Sequence, residues 1–186
     1  AARLRRLADD LSSLSSAGEL GTNDRGAVDL AALLVDVVAH LQPQSAAKDL
    51  TLTAHSDPLP SIQGDADRLT QVLTNVVGNA IQYTDAGHIE VRAGSANGVV
   101  TISVTDTGRG LAPEDQTRIF ERFHRVDQHF ADGTGVGLAI AKLIVEAHGG
   151  TIGAQSDGLG TGTTITIGLP VTGPVQRDRE ATPSSG

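Results

Sequence analysis

The sequence predicts an α+β domain: a two-layer α/β sandwich, a mixed sheet of about five strands with helices on one face, preceded by a short helix. Three observations predict it. Apolar residues alternate with polar ones in segments near 50–55, 87–95, 98–108, 150–157 and 162–170, the period of a half-buried strand. Apolar residues recur every three to four positions near 29–47, 66–83 and 136–148, the period of an amphipathic helix. The core composition fits, because with three Phe, one Tyr and no Trp the interior must be built from Leu, Ile, Val and Ala.

The elements follow in order. Leu4, Leu7, Leu11 and Leu14 form a two-heptad seam over residues 3–17, too short to be stable alone and expected to pack on another helix. Residues 18–28 read as a Gly-rich polar linker, and the domain proper is expected over 29–170. Asp29 is placed to N-cap a helix running to about Ala47. "LTLTAH" is a strand, "DPLPS" breaks it, and "IQGD" leads to the helix at 66–83. A hairpin follows, turning at Ala96, Asn97 and Gly98. Residues 107–134 are polar and Gly-containing, interrupted by "IFERF"; loops of this length usually serve as lids. Gly149 and Gly150 end the next helix, two strands close the domain, and 171–186 reads as a disordered Pro/Ser-rich tail.

Bulk properties remove several function classes. Fourteen basic against 22 acidic residues give a net charge of −8, unsuited to a nucleic-acid surface. No apolar run reaches the roughly 20 residues that span a bilayer. Without cysteine there are no disulfides or thiolate metal sites. Because the chain also lacks methionine, it is expected to be a piece of something longer or to lack its first residue.

The helix at 66–83 poses the first chemical question. Leu69, Val72, Leu73, Val76, Val77, Ala80 and Ile81 make one apolar stripe. Gln71, Asn75, Gly78, Asn79 and Gln82 fall together on the other side. Asparagine costs about 0.6 kcal/mol against alanine in a helix, so two on one face ask for a reason. A solvated face is one reading. Neutral amide oxygens holding a hard cation such as Mg²⁺, with Gly78 permitting close approach, is the other.

Further on, the strand ending in Asp106 runs into Gly108 and Gly110. The segment fits an ordinary turn, or a carboxylate that accepts from an exocyclic amine such as adenine N6 while glycines let backbone pass the ring. Gly133, Gly135 and Gly137 precede a helix, and free N–H groups at a helix start suit a phosphate. Gly160, Gly162 and Thr164 enter the last strand.

Taken in order, N-x-x-x-N-A-x-x-Y-T, D-x-G-x-G, F-x-x-F, G-x-G-x-G-L and G-x-G-T closely resemble the catalytic ATP-binding domain of two-component sensor histidine kinases, part of the wider superfamily of gyrase and MutL. The resemblance runs from about Asp29 to Pro170, and the first segment resembles the end of a dimerisation-domain helix. It implies ATP and Mg²⁺ as cofactors. It also implies that Asn79, with Asn75, holds the Mg²⁺, and that Tyr83 lies against the adenine. Asp106 would accept from the amino group, beside Gly108 and Gly110. Gly133, Gly135, Gly137 and Leu138 would pass the phosphates to the helix, and Thr164 would lie near the base. Phe120 and Phe123 would steady the lid, with Arg122 and Arg125 as candidate phosphate or partner contacts.

Two features depart from the family. Gln82 stands where a lysine or arginine is common, and no basic residue lies between Arg125 and the glycines. None of His40, His55, His88, His124, His129 and His148 lies in the H-[DE]-x-x-x-P setting of a phosphoacceptor. The resemblance therefore implies a cytoplasmic domain that phosphorylates a histidine outside this chain. That histidine would sit on a dimerisation domain, in the parent chain or in a separate protein, with the full-length kinase a homodimer, membrane-anchored or not, and a response regulator downstream. A superfamily member that hydrolyses ATP generally needs glutamate where Asn75 stands. A degenerate nucleotide-sensing module is the remaining alternative.

Overall fold

A computed structural model describes residues 25–124 and 135–171 of the 186-residue chain. The expected helix at 3–17, most of the linker, Arg125, Gly133 and the tail from residue 172 lie outside the described residues.

The first described element is a strand inside the span expected as linker. β1 (Gly26–Val28) pairs antiparallel with β3 (Ile62–Gly64), Val28 opposite Ile62. Both strands have three residues, too few for an alternating pattern to register. Between them lie α1 (Leu30–Ala46) and β2 (Thr51–Ser56). Asp29 caps α1 as expected, its Oδ1 accepting from Ala32 N at 3.1 Å.

α2 (Ala66–Tyr83) is capped by Asp65, whose Oδ1 accepts from Arg68 N at 3.0 Å. Its last carbonyls are satisfied by Lys48, the residue just beyond α1. Nζ of Lys48 donates to the carbonyls of Ile81, Gln82 and Thr84 at 2.8, 3.1 and 2.7 Å. A cation at a helix carboxyl terminus also opposes the dipole there.

β4 (His88–Ala96) and β5 (Val99–Asp106) form the expected hairpin. Asn97 and Gly98 both have positive φ, 53° and 76°, as a two-residue turn that follows the strand twist requires. The polar segment that follows contains one unexpected helical turn, α3 (Asp115–Arg118). α4 (Gly137–Ala147) then ends on Gly149 and Gly150, whose N–H groups donate to the carbonyls of Glu146 and Val145, each at 2.9 Å. This is a Schellman closure, and Gly149 supplies its φ of 74°. β6 (Thr151–Gln155) and β7 (Thr163–Pro170) are the last described elements.

The main sheet has the order β2-β4-β5-β7-β6, with β2 parallel to β4 and every other pair antiparallel. Parallel neighbours need a crossover, and α2 lies in the one between β2 and β4. Ile89 and Val91 of β4, Val100, Ile102 and Val104 of β5, and Ile165, Ile167 and Leu169 of β7 are buried against the helices. α2 packs between α1 and α4 above these strands. The opposite sheet face carries Arg92, Thr101, Ser103, Thr105 and Thr166.

One buried histidine ties the helices together. His148 is 1% exposed; its Nδ1 donates to Ile144 O at 2.7 Å and its Nε2 accepts from Asp65 N at 3.0 Å. Gly64 makes room, since a Cβ there would lie 2.9 Å from the ring. These bonds fix a neutral tautomer, and burial holds the pKa below its ordinary value, with a further push from Arg25 against the opposing influence of Asp65.

Candidate nucleotide-binding site

The polar face of α2 is only partly exposed to solvent. Gln71, Asn75, Gly78, Asn79 and Gln82 are all half-buried. Asn75 Nδ2 donates to Gly137 O, at the first turn of α4, at 3.0 Å. Asn79 makes no hydrogen bond among the described residues, and Gln82 Nε2 is buried without a partner there. A Cβ built on Gly78 meets no atom within 4 Å, so the space over this face is open. Amide groups left half-buried and unsatisfied mark a surface built to meet something polar.

Asp106, at the end of β5, is 8% exposed. Its Oδ1 accepts from Gly108 N at 2.8 Å and Thr163 N at 3.2 Å. Oδ2 has no partner among the described residues, so it remains an acceptor. Burial raises the pKa above the ordinary carboxylate value, while the two backbone N–H groups partly oppose that shift.

The surrounding glycines are needed because main chains touch here. A Cβ on Gly108 would run into Tyr83 O and lie 2.8 Å from Asp106 Oδ1; one on Gly162 would run into Asp106 O. The two glycine loops are zipped together by Gly162 N to Gly108 O at 3.1 Å and Gly160 N to Arg109 O at 2.6 Å. Arg109 N donates to Tyr83 O at 3.2 Å, which places Asp106 next to the end of α2.

At the third corner, no described side chain caps α4. Gly135 has φ 72° and its carbonyl accepts from Phe123 N at 2.9 Å, while Leu138 is buried. The two phenylalanines part company: Phe120 belongs to the core, whereas Phe123 is 60% exposed with φ 63°. Arg122 is exposed.

Thr164 is paired with Thr105, their Oγ1 atoms 3.0 Å apart, on the sheet face away from Asp106. Paired residues of antiparallel strands share a face, so Thr163, opposite Asp106, is the threonine on the side of Asp106. Thr163 N donates to Asp106, Ser156 Oγ bonds Gly162 O, and Lys48 closes α2; sequence reasoning singled out none of the three. Period-two alternation inward from Ile165 is the signal that separates Thr163 from Thr164; Lys48 and Ser156 leave no local signal.

No group of three or more His, Asp or Glu suited to a metal occurs among the described residues. A cation at this site would meet the amide oxygens of Asn75 and Asn79 together with oxygens of its ligand.

A five-stranded sheet under three helices, with a buried aspartate between glycine loops beside a polar helix face, defines an α/β-sandwich domain of the ATPase type. A family model described as "Histidine kinase-, DNA gyrase B-, and HSP90-like ATPase" matches residues 64–173, and the chain belongs to that family. It is 38% identical over 183 residues to Drug sensory protein A of Synechocystis, covering 91% of this chain and 28% of that protein. It is 40% identical over 171 residues to the sensor histidine kinase ZraS of Escherichia coli, covering 91% of this chain and 35% of that protein. The chain thus spans about a third of the length of such curated relatives. Among solved structures, full-length ShkA in complex with AMPPNP superposes with a TM-score of 0.81 at 34% identity, covering 91% of this chain and 36% of that one. The mycobacterial sensor histidine kinase MprB gives 0.71 at 27% identity, covering 80% of this chain and 99% of that one.

Proposed function

We propose that this chain binds Mg-ATP as the catalytic domain of a sensor histidine kinase and presents the γ-phosphoryl group to a histidine outside the chain. The observation that carries this reading is Asp106. It is a buried carboxylate with one oxygen fixed by two backbone N–H groups and the other left as an acceptor for the adenine amine. The names of ZraS and MprB, and the AMPPNP in ShkA, support the same reading.

In this reading Tyr83 lines the base side of the pocket, and Gly135, Gly137 and the uncapped start of α4 receive the phosphates. Leu138 belongs to the same helix; Gly133, named with it, lies outside the described residues. Asn75 and Asn79 offer amide oxygens to Mg²⁺, which when bound would neutralise phosphate charge. What remains is positioning: the chain holds ATP at both ends and leaves its terminal phosphate reachable. The phosphohistidine would then supply a response regulator. The dimerisation domain, the homodimeric state and a cytoplasmic setting belong to this proposal. No helix among the described residues is long and apolar enough to cross a membrane.

The test supplies labelled ATP, Mg²⁺ and a histidine-bearing dimerisation bundle. Acid-labile phosphohistidine on the bundle is expected. ATP binding without transfer to any supplied bundle would favour a nucleotide-sensing module, and turnover without a bundle would favour a hydrolase.

A further inference from the structure

Ser156 belongs to none of the glycine or asparagine boxes, yet three parts of the site meet on it. It lies just after β6, in the connection to β7. Its Oγ accepts from Leu111 N at 3.0 Å and sits 2.7 Å from Gly162 O, to which it donates. Gly158 O is also near, at 3.1 Å, but a hydroxyl has one hydrogen and the shorter contact takes it. Gly158 N reaches the same Oγ at 3.3 Å, and Thr161 Oγ1 lies 3.4 Å away. The Ser156 carbonyl accepts from Gln116 Nε2, on α3, at 2.8 Å.

Leu111 closes the loop that begins at Gly108, and Gly162 immediately precedes Thr163. The N–H groups of Gly108 and Thr163 are the two that hold Asp106 Oδ1. The Ser156 hydroxyl therefore bridges the two loops that aim this carboxylate. Crowding reinforces the bridge: a Cβ on Gly110 would collide with Gly158 O and lie 3.0 Å from Ser156 Oγ.

We infer that Ser156 is a positioning residue for base recognition: its hydroxyl sets the spacing of the two glycine loops and so the direction of Asp106 Oδ2 toward an exocyclic amine. The inference rests on the nucleotide-binding reading above. A serine that only stabilised the fold would weaken all nucleotides alike. One that aims Asp106 affects the nucleotide with an amine and spares the one without.

The experiment measures dissociation constants by calorimetry for Mg-ATP and for its 6-desamino analogue, purine riboside triphosphate, on the chain as it stands. Thermal melts accompany each variant. Asp106→Asn comes first: it should collapse the preference for ATP, and an unchanged preference would sink the adenine reading itself. With that established, Ser156→Ala should weaken ATP by about 3- to 10-fold, the worth of one hydrogen bond, while the analogue stays within about twofold. Ser156→Thr, which keeps the hydroxyl, should restore the preference. If the alanine variant does not fold, Ser156→Cys, a weaker donor of similar size, should show the same selective loss. Equal loss of both ligands, or no loss of preference in a folded variant, overturns the inference.

Discussion

Asn75 Nδ2 donates to the carbonyl of Gly137 across 3.0 Å, joining the polar face of α2 to the first residue of α4. The contact leaves the Asn75 oxygen without a partner among the described residues while fixing where the glycine-entered helix begins. Asn75→Ala should cost about 1 kcal/mol of stability for the lost bond, read by denaturant unfolding. Calorimetry should show ATP affinity falling by about tenfold or more, since two phosphate-side groups are disturbed together. An affinity unchanged by the substitution would remove Asn75 from the site.

Gly78 occupies the middle of α2, where glycine costs about 1 kcal/mol against alanine. No described residue lies within 4 Å of a Cβ built there, so packing among the described residues does not explain it. Gly78→Ala should therefore raise the unfolding free energy by about 0.5–1 kcal/mol and at the same time weaken ATP binding. A variant that is stabilised and still binds ATP normally would show that the open space serves no ligand.

Asp106 makes binding and stability pull in opposite directions. Burial raises its pKa above the ordinary 3.8, so the stabilising contribution is complete below 3.8 and is lost as pH rises through the folded value. At neutral pH the ionised carboxylate burdens the fold. Asp106→Asn keeps an acceptor for Gly108 and Thr163, so the melting temperature at pH 7 should not fall. Its NH₂ would face the adenine amine, donor against donor, and ATP affinity should drop by about 1–3 kcal/mol. In the unsubstituted chain, titration calorimetry should show ATP affinity falling on acidification with a midpoint above pH 3.8.

His148 gives the fold an acid limit. It is held neutral between Ile144 O and Asp65 N, near Arg25 and Arg68, with its pKa below the ordinary 6.5. Above pH 6.5 both folded and unfolded forms are neutral. Below it the unfolded chain takes up the proton first, so stability declines from 6.5 down to the folded pKa. Denaturant midpoints between pH 7.5 and 5 should fall, and should flatten in His148→Gln, which is less stable at pH 7.5 but lacks the titration.

How much of this was legible beforehand depended on the range of the interactions. The alternation of Val100, Ile102 and Val104, the stripe from Leu69 to Ile81 and the Asp29 cap are local, and they carried into the structure nearly residue for residue. β1, β3 and α3 were missed because three or four residues hold no full period. The half-burial of the Asn75 and Asn79 face was invisible as well, since helical periodicity separates two faces without saying what stands opposite the second.

The sequence by itself determined the sheet and helix content, the caps, and the ordered glycine and asparagine boxes that mark the family. Only the tertiary structure decided that Thr163 is paired with Asp106, that Lys48 closes α2, and that Ser156 spans both glycine loops. The reason is physical. Strand register and long-range hydrogen bonds depend on which backbones pack together, and residues 45 or 57 positions apart along the chain leave no periodic trace of meeting.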